Sequence, residues 1–202
     1  MIDSLRAALS RTAAPPADSW LTASTARVAA EPGAIGVLLP AAGRHCGRAP
    51  LADPPGWRTD DAARVLLLAA LPLRGAALAE QVRTLYRYGD ADEKRAVLRA
   101  LPWLEVGDRC TDLLHDALRT NDTRLVAAAM GSYAAHLDDS AWRQGVLKCV
   151  FMGIPLSVVD GLGERADGEL ATMLAGLAAE RQAAGRAMPE DATALLHRLT
   201  TG

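Results

Sequence analysis

The sequence predicts an all-α protein, and its composition gives the main reasons. Half of the 202 residues are hydrophobic but only 4% are aromatic, so that alanine and leucine supply most of the apolar surface. These two residues have the highest helix propensities, whereas the β-branched residues that favour strands are scarce. No segment alternates apolar and polar residues as a half-buried strand does. The length suits one domain with a continuous core, and we predict a single helical domain over 1–202.

The N-terminal part predicts two short amphipathic helices followed by an irregular segment. The helices span 2–13 and 17–30, where apolar residues recur at helical spacing. Five prolines and five glycines then interrupt residues 31–57. We expect a long irregular connection here, with at most a short helix around 34–39.

A central helix follows. Thr59 or Asp60 is predicted to cap its free amides, because these side chains accept hydrogen bonds at a helix N-terminus. From Val65 to Leu71 the helix is apolar on every side, which is typical of a buried helix. Asp60 and Arg64 are four residues apart and could form an ion pair.

The remainder of the chain predicts shorter helices joined by turns. Their spacing favours stacked antiparallel hairpins of the α-solenoid or HEAT-like kind, although no repeat of fixed sequence period occurs. The predicted helices span residues 75–88, 91–101, 108–119, 122–130, 139–152, 166–184 and 189–200.

Lys148 lies alone in a run of apolar residues from Val146 to Leu156, and a helix that is apolar all round is expected to be buried on all sides. An ammonium group in such a run must reach water, find a partner or lose its proton. Gln144 is one helical turn earlier and projects from the same face. One interpretation is a pocket wall where the lysine acts as a base or binds an anion; the other is a lysine that reaches solvent at the edge of a packed helix.

Arg181 shares a helical stripe with Leu170, Leu174 and Leu177. An arginine in this position pairs with a buried carboxylate, lines a cavity or caps the last carbonyls of its helix. Glu180 lies on a neighbouring side of the same helix.

Metal and cofactor motifs are absent from the sequence. The four histidines and three cysteines show no zinc-binding spacing, and no glycine-rich phosphate loop or Gly-x-Ser-x-Gly occurs. The adjacent aspartates at 60–61 and 138–139 fall where helices begin, so we interpret them as caps rather than as magnesium ligands. We therefore expect no metal and no cofactor.

Five segments match those of a known family in their order and amino-acid sequence: TDDAARVLLL (59–68), RTN (119–121), AWRQGVLK (141–148), GLGERADGELA (161–171) and ERQAAGR (180–186). On these segments the chain resembles the EboA-like family. The resemblance runs from about Ala41 to Arg186. It implies a small soluble helical protein encoded in bacterial operons for specialised metabolites, which make, modify or export precursors.

The chain also departs from the family at several polar positions, which marks it as a divergent member. Arg143 and Asp167 both stand where the family has asparagine. Ala179 replaces a histidine and Gln182 a tryptophan. Residues 130–133, Met-Gly-Ser-Tyr, replace the family's Asn-Pro-Tyr-Pro. These changes indicate an altered pocket.

The predicted function is that of a cofactor-independent enzyme of specialised metabolism: an isomerase, cyclase or lyase acting on a largely apolar molecule between helices. The alternative is a non-catalytic carrier or scaffold that binds a pathway intermediate or partner proteins. His136 lies in the loop that corresponds to the family's polar motif, which makes it an acid–base candidate. The predicted catalytic residues are Lys148, His136 and Gln144, and the predicted substrate-binding residues are Arg181, Tyr133, Trp142, Arg64, Arg143 and Glu180.

The net charge of −2 gives no reason to expect nucleic acid as a partner. No apolar run is long enough to span a membrane, and we expect no stable membrane insertion. With no recognisable signal peptide and an odd number of cysteines, a cytoplasmic location is expected. The expected partner is a small-molecule intermediate, and the sequence leaves a homo-oligomer open.

Overall fold

The computed structural model describes residues 1–201. In this range the regular structure consists of twelve α-helices and short 3₁₀ turns without strands, so the predicted all-α class is confirmed. The helices are α1 Ile2–Thr12, α2 Pro15–Ala30, α3 Ile35–Cys46, α4 Thr59–Ala69, α5 Gly75–Tyr88, α6 Ala91–Ala100, α7 Thr111–Arg119, α8 Thr123–Ala129, α9 Asp139–Met152, α10 Leu162–Arg165, α11 Gly168–Ala183 and α12 Glu190–Thr201.

The chain divides into two compact units, one from Met1 to Cys110 and the other beginning at Thr111. The first contains α1 to α6 and the second α7 to α12. Whether the two units function as the single predicted domain stays a prediction, as does the stack of hairpins. None of the described helices combines the length and hydropathy needed to cross a membrane.

The first unit is organised around α4, which packs against α1, α2, α3 and α6. Every residue from Ala62 to Leu68 is buried, Arg64 included. The continuous apolar run from Val65 to Leu68 therefore has neighbours on all sides, as predicted for a central helix.

The prediction of an irregular connection over 31–57 is wrong for its first half, because α3 occupies Ile35–Cys46. Ile35, Leu39, Ala42 and Cys46 recur at helical spacing and are all buried. Burial of this stripe against α2 and α4 outweighs the hydrogen bond that Pro40 cannot donate. The proline and glycine content concealed an amphipathic helix, and only the stretch after Gly47 is irregular.

The second unit is organised around α9, which packs against α7, α8 and α11. Asp138 caps α9 by accepting a 2.8 Å hydrogen bond from the Ala141 amide. At the other end Gly153 adopts a left-handed conformation (φ 70°), and the Ile154 amide returns to the Cys149 carbonyl. Both ends lie where the sequence predicted them.

The expectation that α9 is buried on all sides is wrong. Trp142, Val146, Cys149 and Val150 form a buried face, as predicted for a core helix. Phe151, by contrast, is 67% exposed. Leu147 and Lys148 are half-buried, so α9 has one face in the core and one open face.

Candidate functional site

A cavity of about 560 Å³ lies in the second unit along the open face of α9. Its walls come from α7, the turn after α7, α9 and one residue of α11. The lining residues are His115, Leu118, Arg119, Asn121, Ala141, Gln144, Gly145, Leu147, Lys148, Phe151 and Leu177.

Helical spacing explains how α9 supplies this wall. Ala141, Gln144, Lys148 and Phe151 follow one another at steps of three or four residues and therefore share one side of the helix. The buried face that holds Trp142 and Val146 is on the other side. One helix thus carries the core of the unit and the polar wall of the cavity.

The polar groups of the cavity are largely unpaired. Lys148, Gln144, Asn121 and His115 make no side-chain hydrogen bond or ion pair with any other residue of 1–201. Arg119 Nη2 lies 3.7 Å from Asp116, but the two side chains are 75% and 49% exposed, so this pair is weak. The cavity therefore offers donors that no protein group occupies.

Gly145 lets the helices come close enough to form the floor of the cavity. A Cβ atom at this position would overlap Met130 Sδ, and it would lie 2.9 Å from Met130 Cε and 3.5 Å from Leu118 Cδ2. A larger residue would displace the buried Met130 side chain from the wall of α9.

Of the residues predicted to be catalytic, Lys148 and Gln144 line the cavity and His136 does not. His136 is exposed and its ring packs at 4.7 Å against the ring of Tyr133, which is buried. Arg165 fixes the same turn, because its guanidinium donates to the carbonyls of Ala134 and Leu137 at 3.0 and 2.8 Å. The predicted acid–base histidine is thus apart from the predicted lysine.

The predicted substrate-binding residues of the second unit also lie outside the cavity lining. Trp142 is fully buried and its indole N–H donates to the Asp160 carbonyl at 3.2 Å. Arg143 forms an ion pair with Asp167. Arg181 Nε donates to the Ala187 carbonyl at 3.0 Å, which lies beyond the end of α11 and is not one of the last carbonyls of that helix. Glu180 is exposed on α11.

Arg64, the remaining predicted binding residue, belongs to a buried charge cluster in the first unit. Its Nη1 atom donates to Asp60 at 2.7 Å, so the predicted ion pair is confirmed. Arg58 adds two hydrogen bonds to Asp60 at 2.8 and 2.9 Å. Arg95 donates to both oxygens of Asp61.

These contacts overturn the prediction that the start of α4 is capped by Thr59 or Asp60. The Thr59 hydroxyl is buried without a hydrogen-bond partner, and the Asp60 carboxylate binds arginines instead of amides. Burial alone would raise the pKa of Asp60, but hydrogen bonds from Arg58 and Arg64 outweigh it and hold the pKa below its usual value. The carboxylate therefore stays ionised inside the unit.

Besides small and aliphatic lining residues, sequence reasoning missed the other polar and aromatic residues of the cavity: His115, Arg119, Asn121 and Phe151. His115 lies off the apolar stripe of α7; it is exposed, and it lines the cavity. Arg119 and Asn121 belong to the Arg-Thr-Asn segment, whose sequence resembles the family but was assigned no functional role. That segment was the signal that could have found them.

The comparisons with known proteins agree with these segments. The sequence model of the family described as "Metabolite traffic protein EboA" matches residues 49–197, which is most of the chain and includes every residue that lines the cavity. Neither the curated proteins nor the solved structures include a significant match. On this family match, which covers most of the chain, the chain belongs to the EboA family.

Proposed function

We propose that this protein binds a small organic metabolite in the cavity along α9 and passes it on without chemical change. The observation that carries the proposal is the meeting of unpaired polar groups with an apolar wall: Lys148, Gln144 and Asn121 line the same space as Leu118, Leu147 and Leu177. Small-molecule sites combine apolar walls with a few such polar groups, and they commonly enclose about 300–1,000 Å³. The size of this cavity lies in that range.

The arrangement favours carriage over catalysis. General acid–base catalysis needs proton-transfer groups positioned around the reacting atom. Lys148 and Gln144 line the cavity without a hydrogen bond to orient them, and His136 packs against Tyr133 instead. The family description of metabolite traffic supports the same choice.

The test of binding uses a neutral fluorescent dye, N-phenyl-1-naphthylamine, so that it does not depend on the charge of the ligand. We expect saturable one-site binding to the purified protein. Gln144→Trp fills the cavity and should abolish this binding. The matched control is Gln182→Trp, since Gln182 is an exposed glutamine on α11 outside the cavity lining.

Both variants should melt as the parent protein does, because both positions are exposed. Equal dye binding by the two variants would place the dye elsewhere and overturn the proposed site. No saturable binding to the parent protein would overturn the proposal that the cavity takes up small molecules.

A second candidate function is the cofactor-independent isomerase, cyclase or lyase. It is favoured by one observation, that His115 and Lys148 both line the cavity and could exchange protons with a bound molecule. To separate the two, compounds that copurify with the protein are released and incubated again with fresh protein. Carriage predicts an unchanged mass and retention time. An enzyme predicts a new product that forms with the parent protein and is lost with Lys148→Met.

The proposal includes a cytoplasmic location, a small molecule as the partner, and neither nucleic acid binding nor membrane insertion. Three buried cysteines, none of them in a disulfide within residues 1–201, support a reducing compartment. The stacking of α-hairpins into a solenoid is part of the same proposal and is supported by the packing of consecutive helices, α5 on α6, α7 on α8 and α11 on α12.

A further inference from the structure

From the charges of the cavity we infer that its ligand is an amphipathic organic anion, with a carboxylate or phosphate monoester head and an apolar body. This inference rests on the proposed binding of a small molecule along α9. It goes further by assigning the chemical class of that molecule and the side chains that select it.

The cavity has basic side chains without an opposite charge among its lining residues. Lys148 and Arg119 line it, whereas no aspartate or glutamate does. Lys148 is half-buried and has no ion-pair partner within residues 1–201. Arg119 Nη2 lies 3.7 Å from the carboxylate of Asp116, which is half-exposed and outside the lining. An incoming anion would therefore meet two cations and no carboxylate among the lining residues.

Two carboxamides add neutral donors to the same space. Asn121 and Gln144 both line the cavity, and neither side chain is hydrogen-bonded to the rest of residues 1–201. An amide NH₂ group donates two hydrogen bonds, and hydrogen bonds to an ionised acceptor are the stronger kind. Gln144 lies one helical turn before Lys148, so that its amide and the ammonium group can reach one head group.

The apolar part of the ligand has its own surface. Phe151 lies three residues after Lys148 on α9 and leaves 67% of its surface in water, which is unusual for a phenylalanine. Leu147 and Leu177 line the cavity beside it. An apolar body would cover this ring and remove its surface from water.

Other ligand classes fit these residues less well. An organic cation is recognised by carboxylates or by a cage of several aromatic rings. Among the lining residues there is no carboxylate, and the only phenyl ring is that of Phe151. A fully apolar molecule would gain no hydrogen bond or ion pair from Lys148 or from the two amides.

The experiment compares four compounds with the same eight-carbon chain: octanoate, octyl phosphate, 1-octanol and octylammonium. Each competes with N-phenyl-1-naphthylamine for the full-length protein at low salt, below its micelle concentration. We expect one or both anions to displace the dye at concentrations at least about tenfold lower than the alcohol or the ammonium, as an added charge-assisted hydrogen bond predicts. The two anions together show whether the head group is a carboxylate or a phosphate.

Substitutions then test the residues. Lys148→Met and Arg119→Met should each reduce the preference for the anions over octanol about tenfold, with every competition curve referred to the dye affinity of the same variant. Arg198→Met is the matched control, since Arg198 is exposed on α12 and lies outside the cavity lining. It should leave the preference as it is.

The outcomes distinguish a failure of the anion assignment from a failure of the proposed small-molecule binding. If the dye binds but octanol or octylammonium competes as well as the anions, or if the anion preference survives both substitutions, the anion assignment is wrong and the cavity remains a binding site. If the dye does not bind at all, the proposed function itself fails.

Discussion

Arg143 Nε lies 3.0 Å from Asp167 Oδ1, and the same carboxylate oxygen accepts a 3.0 Å hydrogen bond from the Leu170 amide. One side chain therefore caps α11 and ties it to α9. Both positions are asparagine in the family pattern, so two departures that look independent in the sequence are partners in the structure.

This partnership predicts a coupling between the two positions. Arg143→Asn and Asp167→Asn should each lower the thermal unfolding midpoint. The double variant, which restores the family pattern, should lose less than the sum of the two because two asparagines can hydrogen-bond where an unpaired charge cannot. Thermal unfolding of the four proteins in a double-mutant cycle measures the coupling. Strictly additive losses would contradict it.

The same pair predicts a loss of stability in acid. A hydrogen bond from Arg143 and, next, one from the Leu170 amide lower the pKa of Asp167 from 3.8 to about 2. Because the folded pKa is the lower one, the stabilisation is complete above about pH 4 and disappears as the pH falls through about 2. The midpoint difference between the parent protein and Asp167→Asn should therefore be constant from pH 5 to pH 7 and shrink toward pH 2. A difference that does not change over the acid range would contradict this assignment.

Substitution of Arg64 is expected to lower the stability of the protein strongly and to leave the cavity along α9 unaffected. Arg64→Met removes a guanidinium that is 2% exposed and leaves the buried Asp60 with Arg58 as its main partner. We expect a loss of about 3 kcal/mol in the free energy of unfolding, the lower end for breaking a buried pair. Urea unfolding measures it.

The control for Arg64 is Arg27→Met, which breaks the exposed pair of Arg27 with Glu31 on α2. It should change stability by less than about 0.5 kcal/mol. Similar losses for the two variants would show that the charge cluster adds nothing beyond surface pairing.

Alanine substitution is expected to destabilise the protein at Gly145 and to stabilise it at Gly176. Gly145→Ala introduces a Cβ against the buried Met130 methyl group and should cost about 1–2 kcal/mol. Gly176→Ala in α11 makes the same change where nothing lies within 4 Å, and should stabilise the protein by up to about 1 kcal/mol through helix propensity. Urea unfolding measures the change in the free energy of unfolding of each variant. Changes of the same sign in the two variants would contradict the close approach at Gly145.

The three cysteines predict a native protein that resists alkylation. Burial raises the pKa of Cys46 to about 11, with a further increase from Asp60, and burial raises that of Cys149 to about 12. Cys110 is fully buried. At pH 8 the first two thiols therefore stay protonated, and a protonated thiol is a poor nucleophile. Intact-mass analysis after iodoacetamide should show no adduct on the folded protein and three after unfolding in urea; rapid labelling of the folded protein would contradict this.

Much of the fold was predictable because alanine-rich and leucine-rich segments, helix caps and terminating glycines are local signals. Asp138 and Gly153 mark the ends of α9 in the sequence and in the structure. α3 was missed because Pro40 and its neighbouring glycines obscured a stripe of four buried residues. A stripe of this kind acquires meaning only when α2 and α4 are present to bury it.

The site was predictable only in part. Gln144 and Lys148 were found because a lysine in an apolar helix is conspicuous and their spacing puts them on one face. Arg181 was predicted by the same argument from helical spacing. Its guanidinium, however, donates to the carbonyl of Ala187, and helical spacing cannot predict that contact. His115 and Arg119 come from a different helix, and the packing of α7 beside α9 is a tertiary fact that no local pattern contains.

The division of α9 into a core face and a cavity face has a consequence for how such proteins diversify. Trp142, Val146 and Cys149 secure the scaffold, while Gln144, Lys148 and Phe151 stand apart from it on the same helix. The outward positions can therefore be exchanged with the interior untouched. A library randomised at those three codons and screened with different small molecules would test whether these positions set what the cavity binds.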